Sequence, residues 1–177
     1  MTTNRHQQTT FLQAVLKGEL PPCFDDHSAG THQERSRIWQ TWCANYEKFA
    51  KFWHTGQAQY TIFTKGNQKL HFYACSAIPG NGLCPGAGEC LEYCYSFKAW
   101  RFPAAYFRQL QNTILIQAQS KLIIDAWHEL PQGKTIRLYV DGDFDSLATM
   151  EFWFRLVSAR RDLIVYGYSK SWQLFLD

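Results

Sequence analysis

The stretch "TIRLYV" at residues 135–140 decides the fold, together with "DLIVYGYS" at residues 162–169. Both runs are short, apolar and rich in β-branched residues, which is typical of strands in a sheet. Between them, residues 147–159 have the pattern of a helix. A strand–helix–strand connection within one sheet places its two strands side by side in the same direction. The sequence therefore predicts a parallel βαβ unit and an α/β fold.

The residues before this unit predict helices and a hairpin. Residues 8–17 and 36–54 have helical character, and Gly56 follows the second segment as a stop signal. Residues 59–75, "QYTIFTKGNQKLHFYAC", contain two β-rich runs on either side of "KGNQ". That arrangement predicts a β-hairpin that leads into the α/β part of the chain.

A further helix is predicted to begin at Pro103, because apolar side chains continue near one side of a helix as far as Trp127. We found no internal repeat and no clear domain boundary. We therefore expect one domain over residues 1–177, with a helical N-terminal region over residues 1–56 and an α/β core over residues 57–177.

Composition narrows the class of protein. The chain has 177 residues, of which 46% are hydrophobic, and this excludes disorder throughout its length. Aromatic residues make up 16%, an excess that would suit a docking surface as well as a core. The net charge of +3 is too small to indicate nucleic-acid binding by itself. No signal peptide and no apolar run of about 18 residues is present, so we expect a cytoplasmic protein outside the membrane.

A second stretch carries most of the chemistry. Residues 75–103, "CSAIPGNGLCPGAGECLEYCYSFKAWRFP", contain four of the six cysteines, namely Cys75, Cys84, Cys90 and Cys94. Cys90 and Cys94 are four positions apart and would share one face of an α-helix. With Cys84 from the preceding loop they could hold three corners of an iron–sulfur cluster. With Cys75 as a fourth ligand, the site could equally hold structural zinc.

Glycines in the same loop, Gly86 and Gly88, would let the backbone approach a bound cofactor closely. The cysteines have two alternative roles in which they bind no metal. They could be buried thiols in a tight loop. They could also form a disulfide, although stable disulfides are rare in the cytoplasm.

Polar residues follow both strands of the βαβ unit. Asp143 follows the first strand and Lys170 follows the second, and α/β folds place their chemistry at this edge of the sheet. Asp143 could orient a substrate, bind Mg²⁺ or act as a base, and Lys170 could contact an anion or substrate. Asp145 or Ser146 has the position of an N-cap for the following helix.

The motifs together resemble the phage gene product 88 family, over roughly residues 60–174. They comprise "LCPGAGECLEYCYSFKAWRFP", "TIRLYVDGDFDS" and "LIVYGYSKSW". The positions that match are Cys84, Cys90, Cys94, Tyr95, Arg137, Gly142, Asp143, Phe144, Tyr166, Gly167, Tyr168, Lys170 and Ser171.

The resemblance implies a half-barrel-like parallel sheet, because the family is broadly similar to radical-SAM-like partial α/β barrels. Those enzymes carry a C-x3-C-x2-C signature, whereas the spacing here is C-x5-C-x3-C. The chain also stops soon after Trp172, which implies a shortened barrel. Both differences favour a protein that kept the scaffold and changed its role.

Two functions follow as hypotheses. The first is a non-catalytic, regulatory protein of a phage or plasmid that docks a host or competitor protein. The second is an iron–sulfur or zinc enzyme that acts on an unknown small molecule. Nucleic acid is a weaker candidate partner, for which "KAWRF" at residues 98–102 supplies the aromatic and basic side chains.

Overall fold

The computed structural model describes residues 32–66, 71–78, 83–99 and 102–176. The predicted helix over residues 8–17 lies outside these ranges, as does Cys23. The described elements, in chain order, are α1 (His32–Thr55), β1 (Thr64–Lys65), β2 (Phe72–Cys75), a 3-10 helix (Gly88–Glu92), α2 (Ser96–Ala99), α3 (Pro103–Gln117), α4 (Lys121–His128), β3 (Thr135–Leu138), α5 (Leu147–Ala159), β4 (Ile164–Gly167) and a second 3-10 helix (Trp172–Phe175).

The four strands form one mixed sheet in the order β1-β2-β3-β4. β1 and β2 are antiparallel, with Thr64 opposite Ala74, so the predicted hairpin is confirmed. β3 pairs with β4 in parallel, and α5 connects them, so the predicted βαβ unit is also confirmed. β2 joins the other side of β3 in parallel. The predicted α/β class is therefore correct.

Alternation along the strands gives the sheet two different faces. Ile136 and Leu138 of β3 are buried in the core that the sheet shares with the helices. Trp127 and Trp153 are fully buried in the same core, and the Trp153 ring nitrogen donates to the Tyr139 hydroxyl at 3.0 Å. The opposite face carries Arg137, with residues of β2 and β4 on either side of it.

The N-terminal helix α1 packs on α3 through aromatic rings. The centroid of Trp42 lies 5.7 Å from those of both Tyr106 and Phe107. α1 ends at Thr55, and Gly56 follows with a left-handed φ of +68°, as the stop signal predicted. None of the helices in the described ranges is long and apolar enough to cross a bilayer.

The single long helix predicted from Pro103 to Trp127 is wrong. The chain leaves the helix after α3, and Gln119 adopts a left-handed φ of +47°. Ser120 then begins α4 by accepting a hydrogen bond from the Leu122 amide. A capping serine after a left-handed residue ends one helix and starts another, although the apolar pattern continues across the break.

Candidate functional site

The site lies where β3 and β4 end at the same edge of the sheet. β3 continues into residues 139–145, and β4 continues into residues 168–171. Because the two strands are parallel, these segments are neighbours. The loop that contains Cys84, Cys90 and Cys94 packs against residues 168–171, because Gly86 lies in contact with Lys170.

Asp143 holds the turn after β4. The residue is only 7% exposed, and its carboxylate accepts four hydrogen bonds. The donors are the Phe144 amide at 2.7 Å, the Ser169 hydroxyl at 2.7 Å, the Lys170 amide at 2.8 Å and the Ser171 amide at 3.2 Å. The structure thus brings Asp143 and Lys170 together through the backbone. The catalytic roles suggested for these two residues stay a prediction.

Asp141 is a second carboxylate at the end of a strand, and it was not among the predicted site residues. It accepts hydrogen bonds from the Ser96 hydroxyl at 2.5 Å and from the Gln109 side-chain amide at 2.9 Å. Burial raises its pKa above the ordinary value, although the Ser96 hydrogen bond and the charges of Arg137 and Arg108 act in the opposite direction. Its position in "DGDFD", directly after a predicted strand, could have identified it as a site residue.

Arg137 lies half-buried on the face of β3 opposite Ile136 and Leu138, near the same strand ends. Its guanidinium carbon is 5.6 Å from the centroid of the Tyr168 ring. Its Nε is buried and has no hydrogen-bond partner in the described ranges. Tyr95 is another neighbour, since the charges of Arg137 and Asp141 both influence its pKa, which burial raises. The Tyr95 hydroxyl donates to the Val140 carbonyl at the end of β3.

The cysteine loop meets this edge of the sheet at Lys170. A Cβ on Gly86 would lie 1.8 Å from the Lys170 carbonyl oxygen, so only glycine fits there. The Lys170 side chain is exposed, and the neighbouring Cys90 sulfur raises the pKa of Lys170. Cys94 lies near the same ammonium group. Cys90 and Cys94 are therefore close to one lysine.

The expectation that Cys90 and Cys94 share one α-helical face is wrong. Cys90 lies in the 3-10 helix Gly88–Glu92, and Cys94 follows it outside any helix. No residue of that short helix is buried, and helices in proteins draw most of their stability from packing. A longer α-helix therefore has no support at this position.

Cys75 lies elsewhere, in the core. It is 1% exposed on β2, and the Asn112 side-chain amide lies 3.6 Å from its sulfur. Burial raises its pKa to about 12, so this thiol stays protonated in the folded protein. Its surroundings are those of a packed core residue.

The predicted cofactor finds no complete ligand set in the described ranges, where no three cysteine, histidine or acidic side chains gather in a way that could hold a metal ion. Gly86 lies against the Lys170 carbonyl, and Gly88 begins the 3-10 helix. The cofactor contacts expected of these two glycines stay a prediction. The iron–sulfur or zinc site, including Cys84, stays a prediction.

A cavity of about 10 Å³ lies beside Asp143 and Asp145, with Tyr139 and Leu83 among its lining residues. That volume is about enough for one water molecule and too small for a substrate.

Comparison with known families decides the relationship of the chain. The family model described as gene product 88 matches residues 47–177. The chain belongs to the gene product 88 family. The family match contains the whole strand-end site, from Cys84 to Ser171. Searches among curated proteins and among solved structures give no match.

Proposed function

We propose that this member of the gene product 88 family works by binding another protein through the outer strand of its sheet. The observation that carries the proposal is the exposure of β4. Ile164 is 64% exposed, and Tyr166 and the adjoining Tyr168 are also exposed. Strands of a parallel sheet normally have both faces covered, so apolar side chains at this position suit an interface.

The backbone of β4 supports the same proposal. The Ile164 amide donates to the Lys134 carbonyl, on the β3 side. Because successive residues of a strand point their amide and carbonyl groups to opposite edges, those of Val165 and Gly167 point away from β3. No strand in the described ranges pairs with this outer edge. An extended segment of a partner could add to the sheet there.

Charge indicates the chemistry of that segment. Arg137 lies on β3, opposite Tyr166 of β4, and Lys170 follows β4 at its carboxyl end. The four donors around Asp143 already satisfy that carboxylate. We therefore expect the partner to be a host or competitor protein that presents an extended segment with acidic side chains.

Selection of displayed random peptides on the immobilised chain tests the proposal. We expect enrichment of peptides in which apolar and acidic residues alternate, since side chains of an added strand alternate between faces. Val165→Pro should abolish their binding, because it removes an outward-pointing amide without breaking the pairing with β3. Ile164→Asp should weaken it through charge repulsion and lost apolar contact.

Leu147→Asp is the matched control, because Leu147 is an exposed apolar residue that begins α5 and is not part of β4. It should leave peptide binding unchanged. If no such peptides are enriched, or if Val165→Pro binds them as well as the wild type does, the proposal is wrong.

The enzyme hypothesis, with an iron–sulfur cluster or zinc, has one observation in its favour: Cys90 and Cys94 lie beside Lys170 at the ends of parallel strands. Iron and zinc analysis of protein purified without oxygen tests it. Cys84→Ser and Cys90→Ser should remove bound metal, whereas Cys43→Ser, on α1, should not. Metal-free wild-type protein would contradict the hypothesis.

A further inference from the structure

Arg137 and Arg160 differ in how their guanidinium groups are satisfied. The Nε of Arg137 has almost no contact with solvent and no acceptor in the described ranges. Arg160 shows the usual arrangement. Its guanidinium donates to the Asp162 carboxylate and to the carbonyls of Trp127, His128 and Leu130.

A buried guanidinium nitrogen without an acceptor is unfavourable, because the donor has lost water and gained nothing in exchange. Folded proteins satisfy the great majority of such groups. The five donors of an arginine form a planar fork that matches the two oxygens of a carboxylate or phosphate. A half-buried arginine whose Nε lacks an acceptor therefore points to an anionic ligand.

Asp141 does not fill this role. Its two oxygens accept from Ser96 and Gln109, so it influences Arg137 through its charge and not through a hydrogen bond. Because burial raises the pKa of Asp141, its negative charge is also held less firmly than that of an exposed aspartate. Arg108, whose charge acts on the same carboxylate, adds a further cation nearby.

The walls around Arg137 suit a ligand that approaches from the open face. The Tyr168 ring, which is 76% exposed, lies beside the guanidinium and holds it by a cation–π contact. The rings of Phe72 and Tyr166 meet at 6.1 Å across the same face. Lys170 follows Tyr168 at the rim, with its ammonium exposed. Arg137 is thus surrounded by aromatic rings, with a second cation, Lys170, nearby.

We propose that Arg137 is the anchor of an oxyanion-binding site at the carboxyl ends of β3 and β4, which takes a carboxylate or phosphate group. The assignment stands on the unpaired Nε of Arg137 and on the position of this residue, and it does not depend on the protein-binding proposal. A small ligand or an acidic side chain of a partner supplies the same chemistry to this site.

The Nε–H resonance of Arg137 reports directly on the site. We would record it in ¹⁵N-labelled full-length protein and assign it with Arg137→Lys. Separate titrations use inorganic phosphate, acetate and chloride at constant ionic strength. We expect the Arg137 resonance to shift saturably with phosphate or acetate and not with chloride. The arm that shifts it identifies which of the two groups the site prefers.

Two internal controls make the result specific. The Arg160 Nε–H already donates to Asp162 at 2.7 Å and should not shift. Arg155→Gln removes an exposed arginine and should leave the affinity unchanged. Arg137→Gln should weaken phosphate or acetate binding by about tenfold or more, since hydrogen bonds to charged groups contribute strongly.

Arg137→Lys should weaken binding by a smaller factor, because lysine keeps the charge and loses the fork. The inference is overturned if neither phosphate nor acetate moves the Arg137 resonance further than that of Arg160. It is also overturned if Arg137→Gln binds either anion as tightly as the wild type. The titration of the wild-type chain decides the matter even if Arg137→Gln does not fold.

Discussion

Replacing Asp143 by asparagine should destabilise the protein strongly, although the two side chains have nearly the same shape. Its carboxylate accepts from the amides of Lys170 and Ser171 through one oxygen, and from the Phe144 amide and the Ser169 hydroxyl through the other. Asparagine keeps one accepting oxygen and turns the other side into an NH₂ donor. If the NH₂ group faces residues 170 and 171, the Lys170 amide loses its acceptor and the Ser171 amide keeps only the Ser169 hydroxyl; if it faces the other side, the Phe144 amide loses its acceptor.

Each buried donor that loses its partner costs about 1–3 kcal/mol, so we expect a loss of about 3 kcal/mol in the free energy of unfolding. For a chain of this size, that corresponds to a fall of about 6–12 °C in the melting temperature. Urea and thermal unfolding, followed by circular dichroism, would measure both quantities.

Asp145→Asn is the matched control, two residues along the chain. Asp145 accepts a short hydrogen bond from the exposed Gln117 side chain at 2.6 Å and a long one from the Ser146 hydroxyl at 3.4 Å. Its replacement should cost less than about 1 kcal/mol. If Asp143→Asn lowers stability no more than Asp145→Asn does, the carboxylate is not the group that holds residues 169–171, and the reasoning is refuted.

Two further predictions concern the same edge of the sheet. Gly86→Ala should destabilise the protein more than Gly56→Ala, because its new Cβ would collide with the Lys170 carbonyl, whereas Gly56 has open space and only an unfavourable φ; equal losses in urea unfolding would contradict this. The raised pKa of Asp141 means that the folded protein binds its proton more tightly than the unfolded chain does. The stability of the wild type relative to Asp141→Asn should therefore fall as the pH rises. The fall begins near the ordinary aspartate pKa of 3.8 and continues through the raised pKa of Asp141. A difference in urea midpoint that does not change with pH would show that this carboxyl is not perturbed.

The βαβ unit could be predicted because its signals are local. β3 and β4 lie within the apolar runs at residues 135–140 and 162–169, and α5 occupies residues 147–159 as expected. Ser146 caps α5 by accepting from the Thr149 amide, which settles the choice between Asp145 and Ser146. Periodicity and capping chemistry together are sufficient for elements of this kind.

The helix break and the 3-10 helix could not be predicted in the same way. Apolar spacing continues through residues 118–120, and only the backbone of Gln119 and the cap at Ser120 separate α3 from α4. Cys90 and Cys94 have helical spacing, but the segment buries nothing against the core. In both cases packing and backbone conformation decided the structure, and spacing alone carried no information about them.

The site could be predicted in part. A strand-end rule pointed to Asp143 and Lys170, and the structure places both at one edge. It could not distinguish the carboxylate that holds the turn from Asp141, which burial perturbs. The missing acceptor of the Arg137 Nε could not be predicted, because a sequence shows which donors exist and not which of them find an acceptor.

The pairing of β2 with β3 has a consequence for how the chain folds. Phe72 lies opposite Thr135, so the centre of the sheet joins segments about sixty residues apart. The hairpin and the βαβ unit close much shorter loops, which costs less chain entropy. We therefore expect the two halves to acquire protected amides early during refolding and the β2–β3 ladder to acquire them late, a sequence that pulse-labelled hydrogen exchange would reveal. Until that ladder forms, the strand edges of both halves are available to neighbouring molecules, and dilution during refolding should raise the yield of monomer.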